Sequence, residues 1–182
     1  TFIRTGNDAQ DEAKAKELAQ DLKENAEHMM LVDLARNDLS RHGHHVTVEK
    51  DREVQFYSHV IHLVSKVTGQ KKTDTSTMQV VADTFPAGTL SGAPKHRAMQ
   101  LIDAYENSDR AFYGGAIGFI DFKGNYNHAI IIRSFLSKDN MLHYHAGAGV
   151  VSKSKPESEL QEVYNKLRAL NTAMDKAEKQ FP

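Results

Sequence analysis

The sequence has no cysteine, no marked excess of either charge and no long apolar run. Without cysteine, disulfides are excluded, and a reducing compartment is compatible with the composition. A formal net charge of −1 gives no basic surplus of the kind that nucleic-acid binding requires. No apolar stretch approaches the roughly 18 residues of a membrane span, and no signal peptide opens the chain. We therefore expect a cytoplasmic protein that binds neither nucleic acid nor membrane.

The length of 182 residues suits one domain with a real hydrophobic core. We therefore predict a single domain over residues 1–182. The segment Thr1–Gly6 has no initiator methionine and reads as the end of a strand that enters a turn. We expect that an upstream part is missing.

Helical patterns occupy both ends of the chain. Residues 8–41 contain no proline or glycine, and their apolar residues recur at near-helical spacing, which predicts one long helix. Its expected apolar face is Leu18, Leu22, Met29, Leu31, Val32 and Ala35. Another long helix should follow Pro156, and shorter helices are predicted over residues 73–84 and 94–106.

Strand patterns fill the rest of the chain. Apolar alternation over 46–57 and β-branched residues over 58–67, with Gly69 as a stop, predict two strands. Three more candidates, at 114–122, 127–135 and 141–151, are joined by short turns and predict an antiparallel meander. The fold class is therefore α+β, with a largely antiparallel sheet flanked by helices.

Two single residues invite a functional and a structural interpretation. His62 would share a strand face with Val60 and Val64, where a histidine is more often packed in the core than catalytic. Arg133 ends the most apolar run in the chain, where a guanidinium needs a partner or reaches water.

Two pairs of glutamates repeat the same helical spacing. Glu24 and Glu27 are three apart in the first long helix, and Glu159 and Glu162 are three apart in the last. The default explanation is a solvated charged face. The alternative is that both pairs converge on one hard divalent cation, and oxygen-only ligands suit Mg²⁺ rather than zinc.

The segment from Phe85 to Lys95, FPAGTLSGAPK, has two glycines four apart and leads into a helix. Glycines allow close backbone approach, and a helix start offers free amide donors to an anion. A plain connection between loop and helix is the competing interpretation. The segment is not a Walker A loop, because it has no lysine followed by serine or threonine after the second glycine.

These motifs, taken in order, resemble the chorismate-utilising enzymes, and most of all component I of anthranilate synthase. The resemblance is carried by residues 27–38, 85–95, 113–118, 146–149 and 156–159, and it extends over about residues 5–170. It implies part of that family's layered fold, truncated at its N-terminus. Ala87 favours the anthranilate branch, because aminodeoxychorismate synthases usually have glycine there.

The resemblance also implies roles for individual residues. Glu27 and Glu162, supported by Glu24 and Glu159, would bind Mg²⁺, and His62 would act as general acid toward the departing ring hydroxyl. The implied substrate-binding residues are Thr89, Tyr113, Arg133, Gly147, Ala148, Gly149 and Lys166.

The implied activity is a Mg²⁺-dependent lyase of tryptophan biosynthesis. Ammonia from a separate glutamine amidotransferase subunit would add to chorismate, and pyruvate would be eliminated to give anthranilate. Two alternatives stay open: the aminodeoxychorismate synthase of the folate pathway, and a non-catalytic fragment that only docks a glutaminase. Either way, we expect residues 1–182 alone to be inactive.

Overall fold

A computed structural model describes residues 1–152 and 154–180. Its secondary structure is, in chain order, β1 Phe2–Ile3, α1 Asp8–Gln20, α2 Leu22–Ser40, β2 Gly43–Phe56, β3 Val60–Lys71, α3 Thr77–Thr84, a 3₁₀ turn Gly88–Leu90, α4 Lys95–Tyr105, β4 Ala116–Ile120, β5 Tyr126–Ile130, β6 Leu136–Lys138, β7 Met141–His143 and α5 Pro156–Gln180. The chain divides into two compact units, residues 1–100 and 101–182. The prediction of a single domain stays a prediction.

The first unit contains a three-stranded antiparallel sheet with β3 in its centre. β2 and β3 form a long hairpin from Phe56↔Ile61 to Gly43↔Lys71, and β1 pairs with the start of β3 at Phe2↔Ile61. Helices α1 and α2 contact β2 and β3. Every strand pair in the described chain is antiparallel, so the α+β class with helices against an antiparallel sheet is confirmed.

The core of this unit lies between α1 and β3. Leu18 and Ile61 are fully buried, and Ala15 and Leu63 pack with them. Ile61 and Leu63 alternate along β3, so one strand face is buried and the other is turned away from the core. Burial of such side chains is the main favourable term in folding.

The first long helix is interrupted at Asp21, so the prediction of one helix over 8–41 is wrong. Asp21 has extended backbone angles (φ −66°, ψ 115°), and its side chain accepts a hydrogen bond from the Glu24 amide at 2.9 Å. It therefore ends α1 and caps α2. Because of the break, Leu22 is not on the expected apolar face. Its side chain is 88% exposed, whereas Leu18 is fully buried.

Other boundaries in this unit also differ from the predicted ones. Strand β3 continues through Gly69 to Lys71, because the pairs His44↔Gln70 and Gly43↔Lys71 extend the hairpin. Helix α3 begins only at Thr77, where the side chain of Ser76 accepts a hydrogen bond from the Gln79 amide at 3.1 Å.

The second unit has two separate hairpins instead of the predicted meander. β4 pairs with β5, and β6 pairs with β7. Regular pairing ends near Ile131, and Arg133 has a left-handed backbone (φ 53°) that strands do not adopt. Residues 144–151 also lie outside regular strands.

Helix α5 closes the second unit and carries Glu159 and Glu162. At 25 residues it is the longest helix of the described chain. None of the helices within residues 1–152 and 154–180 is both long enough and apolar enough to cross a membrane.

Candidate active site

Helix α2 presents Glu24 and Glu27 near its start. The Asp21 cap fixes the first turn, and both side chains are partly buried. The Oε2 of Glu24 accepts a hydrogen bond from the Thr1 nitrogen at 2.7 Å, and Glu27 forms an ion pair with Lys23 at 3.7 Å. Two carboxylates one turn apart therefore share one end of this helix.

His62 lies on β3, on the face opposite Ile61 and Leu63. It is exposed, so the interpretation of His62 as a packed core residue is wrong. Its Nδ1 lies 2.5 Å from the hydroxyl of Thr1, the residue whose amino group contacts Glu24. The first unit therefore brings His62 and Glu24 together.

The pKa of His62 is lowered from its ordinary value of 6.5. The largest cause is desolvation by the surrounding protein atoms, and the positive charge of His28 acts in the same direction. The carboxylate of Glu24 acts in the opposite direction.

His28 is a neighbour of this site that sequence reasoning missed. It follows Glu24 by four residues, and its Nε2 lies 2.7 Å from the Ser65 hydroxyl. That hydroxyl accepts a hydrogen bond from the Arg52 amide at 2.9 Å. Its pKa is lowered, chiefly by burial. The helical spacing from Glu24 was the signal that could have identified it.

The loop after α3 carries Thr89 in its 3₁₀ turn. Thr89 is exposed, whereas the next residue, Leu90, is buried. Gly88 lies so close to α2 that an added Cβ would be 2.6 Å from Leu34 Cδ2 and 3.3 Å from Leu31 Cδ2. The loop is thus packed against the same helix that bears Glu24.

In the second unit, Tyr113 contacts two side chains. It is 8% exposed, its ring stacks on His145 with centroids 4.7 Å apart, and the Arg110 guanidinium lies 5.8 Å from the ring centroid. Glu106 accepts hydrogen bonds from Arg110 at 2.5 and 2.8 Å. This bonding lowers the pKa of Glu106. Sequence reasoning singled out only Tyr113 from this group.

Gly147 and Lys166 link the segment 146–149 to α5. A Cβ added to Gly147 would lie 3.6 Å from the Tyr113 hydroxyl. The ammonium of Lys166 donates to the Gly147 carbonyl at 2.8 Å and pairs with Glu162 at 2.5 Å. Gly147, Glu162 and Lys166 therefore form one connected group, and the Tyr113 hydroxyl lies near Gly147.

The remaining predicted residues of this unit are less closely connected. Glu159 is buried at 8% exposure, one turn before Glu162. Ala148 is partly buried, and nothing lies within 4 Å of a Cβ added to Gly149. Arg133 is exposed and makes no hydrogen bond or ion pair with the described residues, which fits the interpretation that it emerges into water.

A cavity of about 450 Å³ also opens in the second unit. Its lining includes Arg110, Phe112, Lys138, His143 and His145. Arg110 and His145, which line this cavity, are also the two side chains that contact the Tyr113 ring.

The glutamate pairs occur in different units, Glu24 and Glu27 in the first and Glu159 and Glu162 in the second. Among the described residues of either unit, no three histidine or acidic side chains cluster as metal ligands do. The four carboxylates still provide the oxygen-only donor set that Mg²⁺ prefers. Their convergence on one ion stays a prediction.

Comparison of the chain with known proteins identifies its family. Residues 1–172 match the family described as chorismate binding enzyme. Over 180 residues the chain is 45% identical to anthranilate synthase component 1 of Aquifex aeolicus (strain VF5), covering 98% of this chain and 36% of that protein. It therefore spans about a third of that relative's length.

Solved structures agree with the family match. Anthranilate synthase component I of Streptococcus pneumoniae TIGR4 aligns with a TM-score of 0.82 and 43% identity, over 87% of this chain and 37% of that one. The menaquinone-specific isochorismate synthase of Escherichia coli aligns with a TM-score of 0.84 and 25% identity, over 94% of this chain and 39% of that one. The chain belongs to the chorismate-binding enzyme family.

Proposed function

We propose that this chain carries part of the active site of a Mg²⁺-dependent anthranilate synthase component I. The observation that carries the proposal is the difference in identity among solved structures of the same fold: 43% to an anthranilate synthase component I, against 31% and 25% to two isochorismate synthase structures. The product is anthranilate, and the enzyme is a cytoplasmic lyase of tryptophan biosynthesis.

Glu24, Glu27, Glu159 and Glu162 would hold the metal. Their chemistry fits, because all four are carboxylates and each pair lies one helical turn apart on its own helix. A bound Mg²⁺ supplies positive charge that neutralises and orients a substrate carboxylate. Lys166, already paired with Glu162 at 2.5 Å, adds a second positive charge next to that ligand.

Further polar groups named by the family resemblance would bind the rest of chorismate. The Tyr113 hydroxyl and the unpaired Arg133 guanidinium are donors for the enolpyruvyl carboxylate, and a guanidinium can bind a carboxylate through two hydrogen bonds. Backbone amides of Gly147, Ala148 and Gly149 are further donors. Thr89, exposed on its loop, is a further predicted substrate contact.

His62 would give a proton to the ring hydroxyl as it leaves while ammonia adds. The lowered pKa of His62 disfavours its imidazolium form in this state. Chorismate carries two carboxylates, and nearby negative charge raises the pKa of histidine. Binding of the substrate would therefore favour the protonated acid that this step requires. The second step eliminates pyruvate and leaves the aromatic amine.

A separate glutamine amidotransferase subunit would supply the ammonia, as the resemblance to anthranilate synthase component I implies; residues 1–182 contain no cysteine that could be a glutaminase nucleophile. Residues 1–182 alone should be inactive. The relatives are about three times as long, and the two units contain only part of what those proteins contain.

The test is product identification with the full-length protein, chorismate, Mg²⁺ and ammonium. A fluorescent anthranilate product supports the proposal. Aminodeoxychorismate or isochorismate as product would assign the protein to another branch of the family. The absence of turnover would favour the non-catalytic alternative.

Glu162→Gln tests the metal ligand, with Glu157→Gln, exposed on the same helix, as the matched control. Loss of a ligand carboxylate should reduce activity by more than the roughly 10- to 100-fold typical of outer-shell changes. The control should keep its Mg²⁺ dependence. Circular dichroism verifies that both variants fold, and an unchanged Mg²⁺ titration in Glu162→Gln would refute the assignment.

A further inference from the structure

Asp38 and Lys95 form a buried ion pair that the proposed chemistry does not use. The ammonium of Lys95 lies 2.6 Å from Asp38 Oδ2, and the two side chains are 12% and 5% exposed. Asp38 lies in the last turn of α2, and Lys95 is the first residue of α4. Buried charges are retained only with a partner, so each residue depends on the other.

The geometry argues against Lys95 as an anion-binding group. Its ammonium is enclosed, and it donates a second hydrogen bond to the Thr84 carbonyl at 3.1 Å. The other carboxylate oxygen of Asp38, Oδ1, has no hydrogen-bond partner among the described residues. Lys95 is therefore needed to compensate Asp38 and is not available to a ligand in solvent.

The two contacts of Lys95 close the loop that carries Thr89. This loop, residues 85–94, begins directly after Thr84 and ends directly before Lys95. The bond to the Thr84 carbonyl therefore joins both ends of the loop, and the bond to Asp38 attaches them to α2. In the middle, Gly88 packs on Leu34 of the same helix.

We propose that Asp38 and Lys95 are positioning residues that hold Thr89 at a set distance from Glu24 and Glu27. All five residues lie in the first unit, and α2 carries both the glutamates and Asp38. The pair touches neither substrate nor metal and acts only through the loop. The kinetic part of this inference rests on the proposed function, in which Thr89 contacts chorismate.

The experiment compares Lys95→Met with Arg4→Met in the full-length protein. Arg4 pairs with the buried Asp11 at 2.8 Å in the same unit, and neither residue touches the loop. Each variant thus leaves a buried carboxylate without its cation. Only Lys95→Met also releases the loop, so effects specific to it report positioning and not general destabilisation.

Hydrogen exchange provides a readout that needs no substrate. The amides of Leu90 and Ser91 donate within the loop to the carbonyls of Ala87 and Gly88. In Lys95→Met these two amides should exchange at least about tenfold faster than in Arg4→Met. Equal exchange in the two variants would overturn the positioning role.

Kinetics provide the second readout. A displaced Thr89 should raise the KM for chorismate in Lys95→Met, with a loss in kcat/KM of about ten- to a hundredfold. Lys95→Arg keeps the charge and should recover part of that loss. A drop in activity no larger than that of Arg4→Met, or no recovery in Lys95→Arg, would contradict the proposal. If the wild type does not turn over chorismate, the proposed function fails, and the exchange comparison still decides the role of the pair.

Discussion

Leu18 and Leu22 provide the sharpest test of where the first helix breaks. They are four residues apart, and a continuous helix would put both on one buried face. In the structure Asp21 ends α1, so Leu18 is fully buried against Ile61 and Leu63 while Leu22 is 88% exposed. The same change, leucine to alanine, should therefore have very different effects at the two positions.

The expected magnitudes follow from burial. Leu18→Ala removes a fully enclosed side chain, and such changes lower the free energy of unfolding by about 2.5 to 5 kcal/mol. Leu22 has only about an eighth of its surface to lose, and full burial of a leucine contributes about 1.5–3 kcal/mol. Leu22→Ala should then change stability by less than about 0.5 kcal/mol.

Urea unfolding followed by circular dichroism measures both variants against the wild type, with the slope m checked for constancy. A large effect at Leu18 and almost none at Leu22 supports the break at Asp21. Similar losses at the two positions would mean that α1 and α2 continue as one helix, and the reasoning from the Asp21 cap would fail.

Two further predictions concern an ionised carboxylate and a close strand contact. The hydrogen bond from the Thr5 amide, followed by that from Arg4, lowers the pKa of Asp11 from 3.8 to about 2. The ionised form of Asp11 therefore stabilises the fold above pH 3.8. The stability difference between wild type and Asp11→Asn should disappear as acid titration approaches pH 2. A difference that persists there would contradict this. Gly118→Ala would put a Cβ against the Asn127 carbonyl and 2.6 Å from His128 Cβ, so β4 and β5 must separate. We expect the free energy of unfolding, measured in urea, to fall by about 1 to 3 kcal/mol. An unchanged unfolding midpoint would refute the close approach.

Local pattern was sufficient for most elements. The hairpin of β2 and β3, the helix after Pro94 and the long helix from Pro156 all follow from periodicity and from proline position. The interruption at Asp21 was not predictable from composition, because aspartate lowers helix propensity only modestly. It depends on the side-chain cap and on the packing of Leu18, neither of which periodicity reports.

The orientation of His62 shows a second limit. Residues 58–67 have apolar side chains at both even and odd positions, Val60 and Val64 against Ile61 and Leu63. Alternation alone therefore could not decide which face is buried. The packing of Ile61 and Leu63 on α1 decides it and turns His62 outward.

The sequence by itself determined the class of fold, the order of the motifs and membership of the chorismate-binding family, since these depend on local periodicity and on residue identity along the chain. Only the tertiary structure decided which distant residues meet. His62 and Glu24 both contact Thr1, and Asp38 pairs with Lys95 across 57 residues of chain. Such contacts arise when helices and strands pack to bury apolar surface and pair buried charge, and that packing is not encoded in any one segment.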